Sequence, residues 1–177
     1  IEEALLISQI EIYQNIIDHL WKNDATVCAD TAGDIIARTQ EIGLLDREEH
    51  DYGAVLTHEP ATAILMTWYR NNVVHLLAFP SLIACLVVRR RRDLSRSQLE
   101  TMLATVFPYI AVELSCKTDF NTGHCLDLLA SSGLIELTPD RLAPPIQGSR
   151  QHLQLTLLAN LVMPTLERMY IVISQMS

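Results

Sequence analysis

The amino-acid sequence predicts a mainly α-helical fold, a bundle of about six helices with one or two small β-hairpins. Apolar residues recur at helical spacing from Ile1 to Leu20, as expected for one face of a helix. Ser95 and Gln98 have the spacing of a capping box, which marks the start of another helix. Two further segments place short apolar pieces on either side of a polar turn, a pattern typical of hairpins.

Two helices and a hairpin are expected before Pro60. The first helix covers about residues 1–23, and Asp24 is expected to cap a second helix. That second helix runs to about Ile42 and stops at Gly43, because glycine is the usual residue just after a helix end. The segment LLDREEHDYGAVLTHEP then predicts a small hairpin or loop.

The middle of the chain predicts two long helical regions. The first covers about residues 61–92, and Pro80 is expected to kink or break it because proline lacks a backbone donor. The second begins at the Ser95 cap and runs to about Cys116, with a bend at Pro108.

The last third predicts two helices separated by a second hairpin. Thr118 or Asp119 is expected to open a helix that ends at Gly133. The segment LIELTPDRLAPP then predicts two short strands around a turn. Ser149 is expected to cap a single final helix over about residues 150–176, with Pro164 inside it.

The composition restricts the classes of partner. Hydrophobic residues make up 49% of the chain and charged residues only 19%, below the roughly 25% charged residues of an average soluble domain. Membrane contact, a large buried interface and a compact helical core are all compatible with this composition. The formal net charge of -8 excludes nucleic acid as the expected partner, because phosphate binding requires an excess of Lys and Arg.

The cysteines and histidines predict neither a metal site nor a cofactor. Cys28, Cys85, Cys116 and Cys125 show no CxxC pairing, so they are expected to be small, reduced core residues of a cytosolic protein. His124 stands beside Cys125 but has no further ligands at metal-binding spacing.

One string has the form of a catalytic dyad. His19 and Asp24 fit the H-x4-D pattern, in which the aspartate orients a histidine that takes a proton from an alcohol. A chain with six histidines is expected to match so short a pattern by chance, and Asp24 already has a role as a helix cap. No catalytic residue is therefore expected in this chain.

The segment LMTWYRNNVVHLLAFPSLIACLVVRRRR is mostly apolar, but Arg70, Asn71, Asn72 and His75 lie in its middle. On one continuous helix, Thr67, Asn71 and His75 would share a face. One interpretation is a buried polar network that hydrogen-bonds to another element, since buried polar groups need partners. The other is a substrate-binding or domain-interface site, in which the planar guanidinium of Arg70 is suited to a phosphate.

The same segment is too short and too polar for a transmembrane span, which needs ~20 consecutive apolar residues. It ends in a basic run of four residues, Arg89, Arg90, Arg91 and Arg92. These arginines are candidates for contact with an anionic membrane surface. The alternative is an exposed basic turn that only contacts solvent.

Several blocks, in order, resemble the C-terminal region of the bacterial membrane-bound glycerol-3-phosphate acyltransferase of the PlsB type. The likeness covers most of the chain from about Ala61 to Ser177, and residues 1–60 fit less distinctly. The blocks that carry it are LMTWYRNNVVHLLAFPSLIACLVV, LSRSQL, VFPYIAVEL, LLASSGLIE and MPTLERMYIVIS.

The resemblance implies an enzyme that transfers a fatty acyl group from acyl-ACP or acyl-CoA to the sn-1 hydroxyl of glycerol 3-phosphate. It implies a peripheral position on the cytoplasmic face of the bacterial inner membrane. In that family an H-x4-D block and a glycine-arginine-serine block lie upstream of this region, and this sequence lacks both blocks.

The chain begins at Ile1 rather than Met, so it is expected to be part of something longer. The resulting hypothesis is a single helical C-terminal region, residues 1–177, with a possible sub-boundary near residues 93–95. It would support the catalytic domain or anchor it to the membrane. Two alternatives remain: a non-catalytic helical module that binds membrane or protein, and a winged-helix-like regulator, which the acidic net charge disfavours.

Overall fold

The computed structural model describes the protein in four stretches, residues 1–22, 28–89, 94–139 and 141–176. Within them it has eight α-helices, one short 3₁₀ helix and two antiparallel two-stranded sheets, which confirms the mainly α-helical class. The chain folds as two compact units, residues 1–73 and 74–177. The sub-boundary expected near residues 93–95 falls within the second unit and stays a prediction.

The first unit contains three helices and the first hairpin. Helix α1 packs against α2 and β2, and its core side chains include Leu5 and Ile16. The two strands pair over their whole length, from Asp46 opposite Thr57 to His50 opposite Gly53, so the predicted hairpin is confirmed. The elements are α1 (Glu3–Leu20), α2 (Ala32–Glu41), β1 (Asp46–His50), β2 (Gly53–Thr57) and α3 (Pro60–Val73).

The start of α2 differs from the expectation. Thr31, not Asp24, is the cap: its hydroxyl accepts a hydrogen bond from the Asp34 amide at 3.2 Å, and the Asp34 carboxylate accepts one from the Thr31 amide at 3.1 Å. This reciprocal pair satisfies two donors that the helix itself leaves open. Asp24 lies outside the described residues.

The second unit is built around one central helix, α4, which buries nine of its twelve residues and packs against α5 and α7. Phe79 of α4 contacts Phe107 and Phe120, with ring centroids 4.9 and 4.8 Å away. The elements are a 3₁₀ helix (Val74–Leu76), α4 (Ala78–Arg89), α5 (Arg96–Leu114), α6 (Thr122–Ser131), β3 (Glu136–Leu137), β4 (Leu142–Ala143), α7 (Arg150–Ala159) and α8 (Met163–Met176).

The local start and stop signals of this unit were only partly recognised from sequence. The capping box of Ser95 and Gln98 is present, and Gly133 follows α6 with a φ of 69°. The start expected at Thr118 or Asp119 was wrong, because Asn121 caps the helix by accepting a hydrogen bond from the His124 amide.

Two of the long helices expected from sequence are each divided. The region expected to break at Pro80 leaves the α-helical conformation after Val73 instead. Pro80 is the third residue of α4, in the first turn, where a missing N–H costs nothing. The final helix expected over residues 150–176 is interrupted after Ala159 and resumes at Met163.

Pro164 and Ser81 together explain the second interruption. Pro164, the second residue of α8, has no N–H to donate to the Asn160 carbonyl that it would reach in a continuous helix. The Ser81 hydroxyl donates to the Leu158 carbonyl at 2.6 Å and accepts from the Val162 amide at 3.1 Å. In a continuous helix, the Val162 amide would donate directly to the Leu158 carbonyl, four residues earlier. The serine therefore inserts into that hydrogen bond, which is a recognised cause of helix bends.

Among the described residues, no single helix is both long and apolar enough to cross a membrane. Two pairs of consecutive helices, α3 with α4 and α7 with α8, reach the necessary length and composition only together.

We expect Ser81→Ala to destabilise the protein by about 1–3 kcal/mol, because it leaves a buried carbonyl and a buried amide without their shared partner. Equilibrium unfolding in urea measures this change. The control is Ser174→Ala, which removes an exposed hydrogen bond to the Ile171 carbonyl and should change stability by less than about 0.5 kcal/mol. Equal effects of the two substitutions would contradict the role of Ser81.

Candidate functional site

Helix α3 exposes large apolar side chains and buries none of its residues. Ile64 is 77% exposed, Trp68 60% and Tyr69 49%, and the two aromatic rings contact each other edge to face at 5.3 Å. Scattered exposed apolar residues are ordinary, but several on one helix indicate a surface for another molecule or domain.

These side chains share one side of the helix. At about 100° per residue, Ile64, Leu65, Trp68, Tyr69 and Asn72 project over less than half of its circumference. We call these five residues the α3 aromatic face. The other side carries the half-buried residues, which include Met66 and Arg70. The usual amphipathic arrangement is therefore reversed, since a surface helix normally turns its apolar face inward.

The polar residues of this segment were expected to form a buried network, but two of them, Asn71 and Asn72, are exposed. Arg70 is half-buried, and its Nη2 donates to the Asn71 Oδ1 of the same helix at 3.1 Å. Helix α3 ends at Val73, so a single continuous helix face does not extend to His75. His75 is half-buried in the 3₁₀ helix of the second unit. Their role in binding substrate or a domain stays a prediction.

Of the four consecutive arginines, Arg89 lies in the last turn of α4 and is exposed, and Arg90, Arg91 and Arg92 lie outside the described residues. A cation is favourable at this position because a helix C-terminus carries partial negative charge. One turn earlier, burial raises the pKa of the Cys85 thiol, and the Arg89 guanidinium partly opposes the shift.

His19, the histidine of the possible dyad, lies in the last turn of α1. It is exposed, and its Nδ1 lies 2.8 Å from the Asn15 carbonyl oxygen. Asp24 lies outside the described residues, so the expectation that this match arises by chance stays a prediction.

All four cysteines are free thiols, and two of them are buried. Cys85 and Cys125 are core residues, as expected, and Cys116 is half-buried. Cys28 is exposed, so its expected place in the core was wrong. Within the described stretches, no group of three or more His, Cys, Asp or Glu side chains is arranged to hold a metal ion.

Sequence reasoning missed an apolar groove between α5 and α8. It has a volume of about 780 Å³, and its walls are highly exposed, with Val112 at 82% and Ile173 at 65%. The available signal was the recurrence of apolar residues at helical spacing on faces that do not pack inward. The lining residues are Thr105, Val106, Tyr109, Val112, Glu113, Arg168, Met169, Val172 and Ile173.

An ion pair joins the two helices at this groove. Arg168 donates from Nε at 2.9 Å and from Nη2 at 2.7 Å to the same oxygen, Oε1 of Glu113. The Nη2 also donates to the Thr165 hydroxyl at 3.2 Å. The other terminal nitrogen of Arg168, Nη1, makes no hydrogen bond with a residue in the described part of the chain.

The fold and its exposed surfaces define a helical region suited to packing against other components. Over residues 1–177 the chain matches the family model described as the glycerol-3-phosphate acyltransferase C-terminal region. It is 30% identical to the glycerol-3-phosphate acyltransferase of Pseudomonas entomophila (strain L48) and 27% identical to that of Alteromonas mediterranea. These alignments cover 98% and 94% of this chain.

The chain therefore belongs to the family of glycerol-3-phosphate acyltransferase C-terminal regions, and the resemblance recognised from its sequence blocks is confirmed. It spans only about a fifth of the length of the curated relatives it matches, 22% in both cases. No solved structure gives a significant match to it.

Burial predicts a large difference in thiol reactivity. Burial raises the pKa of Cys125 to about 12, so at pH 8 only about one Cys125 side chain in 10,000 is the reactive thiolate. A colorimetric disulfide reagent should therefore modify exposed Cys28 rapidly and leave Cys125 unmodified until the protein unfolds or the pH approaches 12. Cys28→Ser should remove the rapid phase. Modification of Cys125 in the native protein as fast as Cys28 would contradict this assignment.

Proposed function

We propose that this chain is the C-terminal region of an enzyme that transfers a fatty acyl group from acyl-ACP or acyl-CoA to the sn-1 hydroxyl of glycerol 3-phosphate. The observation that carries the proposal is the family match over the whole chain, together with the shared name of its relatives. The reacting groups are supplied by another part of the polypeptide, and this region supports that part.

The α3 aromatic face is the proposed contact with the catalytic part. The relatives are several times longer than this chain, so they have ample further structure to cover such a face. Trp and Tyr dominate the binding free energy of many interfaces because they remove a large apolar area from water. Asn71 borders this face and accepts a hydrogen bond from Arg70, which lies on the other side of the helix. These two residues are the candidates for hydrogen bonds to another part of the enzyme or to the phosphate of the substrate.

A second part of the proposal concerns the membrane. The protein binds peripherally to the cytoplasmic face of the bacterial inner membrane, and Arg89 with the three arginines after it contacts anionic headgroups. Each such charge contributes about 1 kcal/mol near a membrane surface. The overall charge of -8 opposes this attraction, so a local basic run is required.

The alternative function is a helical module without a role in catalysis that binds membrane or protein through its exposed apolar surfaces. Those surfaces favour it as much as they favour a supporting role. The two functions differ in the assay of the full-length protein, because only the first predicts acyl transfer to glycerol 3-phosphate.

The decisive substitution is Trp68→Ser, made both in the full-length protein that contains this chain and in the 177-residue chain alone. We expect a loss of about 2 kcal/mol or more of stability, and a marked fall in acyl transfer, in the full-length protein. In the isolated chain Trp68 is 60% exposed, so the same change should cost less than about 0.5 kcal/mol. Thermal unfolding and acyl transfer from palmitoyl-CoA measure both effects.

Tyr52→Ser is the matched control, because Tyr52 is 76% exposed in the same unit but lies on the hairpin instead of on α3. It should leave both forms of the protein unchanged. Equal and small effects of Trp68→Ser in both forms would show that α3 has no partner in the enzyme. Acyl transfer by the isolated chain would instead place reacting groups within it.

The arginine run has a separate test. Changing Arg89, Arg90, Arg91 and Arg92 to Gln should weaken binding of the full-length protein to anionic vesicles by more than about a hundredfold, from about 1 kcal/mol for each charge. Flotation with phosphatidylglycerol vesicles measures it.

The control removes the same amount of charge from four exposed arginines elsewhere, namely Arg38, Arg96, Arg141 and Arg150. It should change vesicle binding far less. If both variants lose binding equally, net charge alone explains the interaction and the arginine run has no special role.

A further inference from the structure

The groove between α5 and α8 has the properties of a ligand site, and none of its lining residues belongs to the α3 aromatic face. Small-molecule sites are concave, mostly apolar, and typically about 300–1,000 Å³ in volume, with a few polar groups that fix the ligand's orientation. The groove, at about 780 Å³, lies within that range. Its polar groups are few, and Glu113 and Arg168 are its charged side chains.

The shape of the groove favours an extended apolar ligand. One wall is a single face of α5, with Thr105, Tyr109 and Val112 at successive turns, and the other is a face of α8 around Val172. Moving each methylene of an alkyl chain from water into such a groove is favourable, and the binding free energy therefore increases with the length of the chain.

The charges of the groove distinguish between possible alkyl ligands. Glu113 neutralises Arg168, so the pair has no net charge to offer an anion. The carboxylate of a free fatty acid would lie beside the carboxylate of Glu113, and two carboxylates that share a site disfavour each other's ionised form. An ester or thioester carries no charge, so this repulsion does not arise.

We propose that the α5–α8 groove binds the fatty acyl chain of the acyl donor, an uncharged thioester, while the groups that react with the thioester carbonyl lie in another part of the polypeptide. This inference rests on the proposed function, because the acyl donor is the substrate proposed there. It assigns this region a part in selecting acyl-chain length, in addition to supporting the catalytic part.

The test narrows the groove in the full-length protein. Val112→Trp and Ile173→Trp each add a ring where the chain would lie. For both variants we expect kcat/KM with palmitoyl-CoA to fall at least about tenfold relative to kcat/KM with octanoyl-CoA. A short chain leaves room for the new ring, whereas a long chain does not.

Ile171→Trp is the matched control. Ile171 lies on the same helix and is 53% exposed, but it is not among the residues that line the groove. This variant should change kcat/KM for both donors by less than about twofold. If the groove variants lose activity equally with both donors, the groove packs against protein or bilayer instead, and the proposal is overturned. Unchanged activity with both donors overturns it as well.

A second measurement does not depend on turnover. Palmitoyl-CoA with a diazirine near its methyl end is irradiated with the full-length protein, and the labelled peptides are identified by mass spectrometry. We expect labels within residues 105–113 or 168–173, and their loss in Val112→Trp. Labels confined to other segments would overturn the proposal. A wild-type protein that transfers no acyl group would contradict the proposed function, and the labelling would still decide whether the groove binds an acyl chain.

Discussion

The second unit depends on the Ser81 hydroxyl, which bridges the end of α7 and the residue just before α8. Because it bonds to both the Leu158 carbonyl and the Val162 amide, it makes the interruption between α7 and α8 compatible with full burial. The rest of α4 is almost entirely apolar and buried, and it supplies the surface on which α5 and α7 pack. The most apolar part of the chain is therefore explained by packing inside the unit, and its composition alone gives no reason to place it in a bilayer.

Local signals predicted much of the fold, and tertiary contacts account for most of the rest. The capping box at Ser95 and both hairpins were recognised because their residues are close in sequence. The caps at Thr31 and Asn121 are equally local, but Asp24, Thr118 and Asp119 are also favourable cap residues, so residue type alone did not identify the true caps. The division after Ala159 has both a local and a distant cause. Pro164 is a local one, because it has no N–H to donate to the Asn160 carbonyl of a continuous helix. The Ser81 hydroxyl, 77 positions from Leu158, could not be read from the neighbouring sequence.

For the candidate site, the sequence predicted less and the structure revealed more. Arg70 and the two asparagines attracted attention because polar residues in an apolar segment are unusual, but the structure places them at or near the surface. The more informative observation is the exposure of Trp68 and its apolar neighbours, which cannot be read from sequence. Periodicity identifies an apolar face of a helix but not whether anything covers it. Several uncovered apolar side chains on one helix indicate a surface for another molecule or domain.

The two exposed surfaces differ in a way that affects what they bind. The α3 aromatic face lies on one helix and is convex. Water is therefore excluded from it efficiently only by a complementary protein surface of similar size. The groove lies between two helices and is concave, so a narrow ligand can contact both of its walls at once. The groove also has a hydrogen-bond donor, Arg168, whose charge Glu113 already compensates. A convex aromatic face and a concave neutral groove are therefore suited to different roles, the first to attachment within the enzyme and the second to recognition of an uncharged acyl ligand.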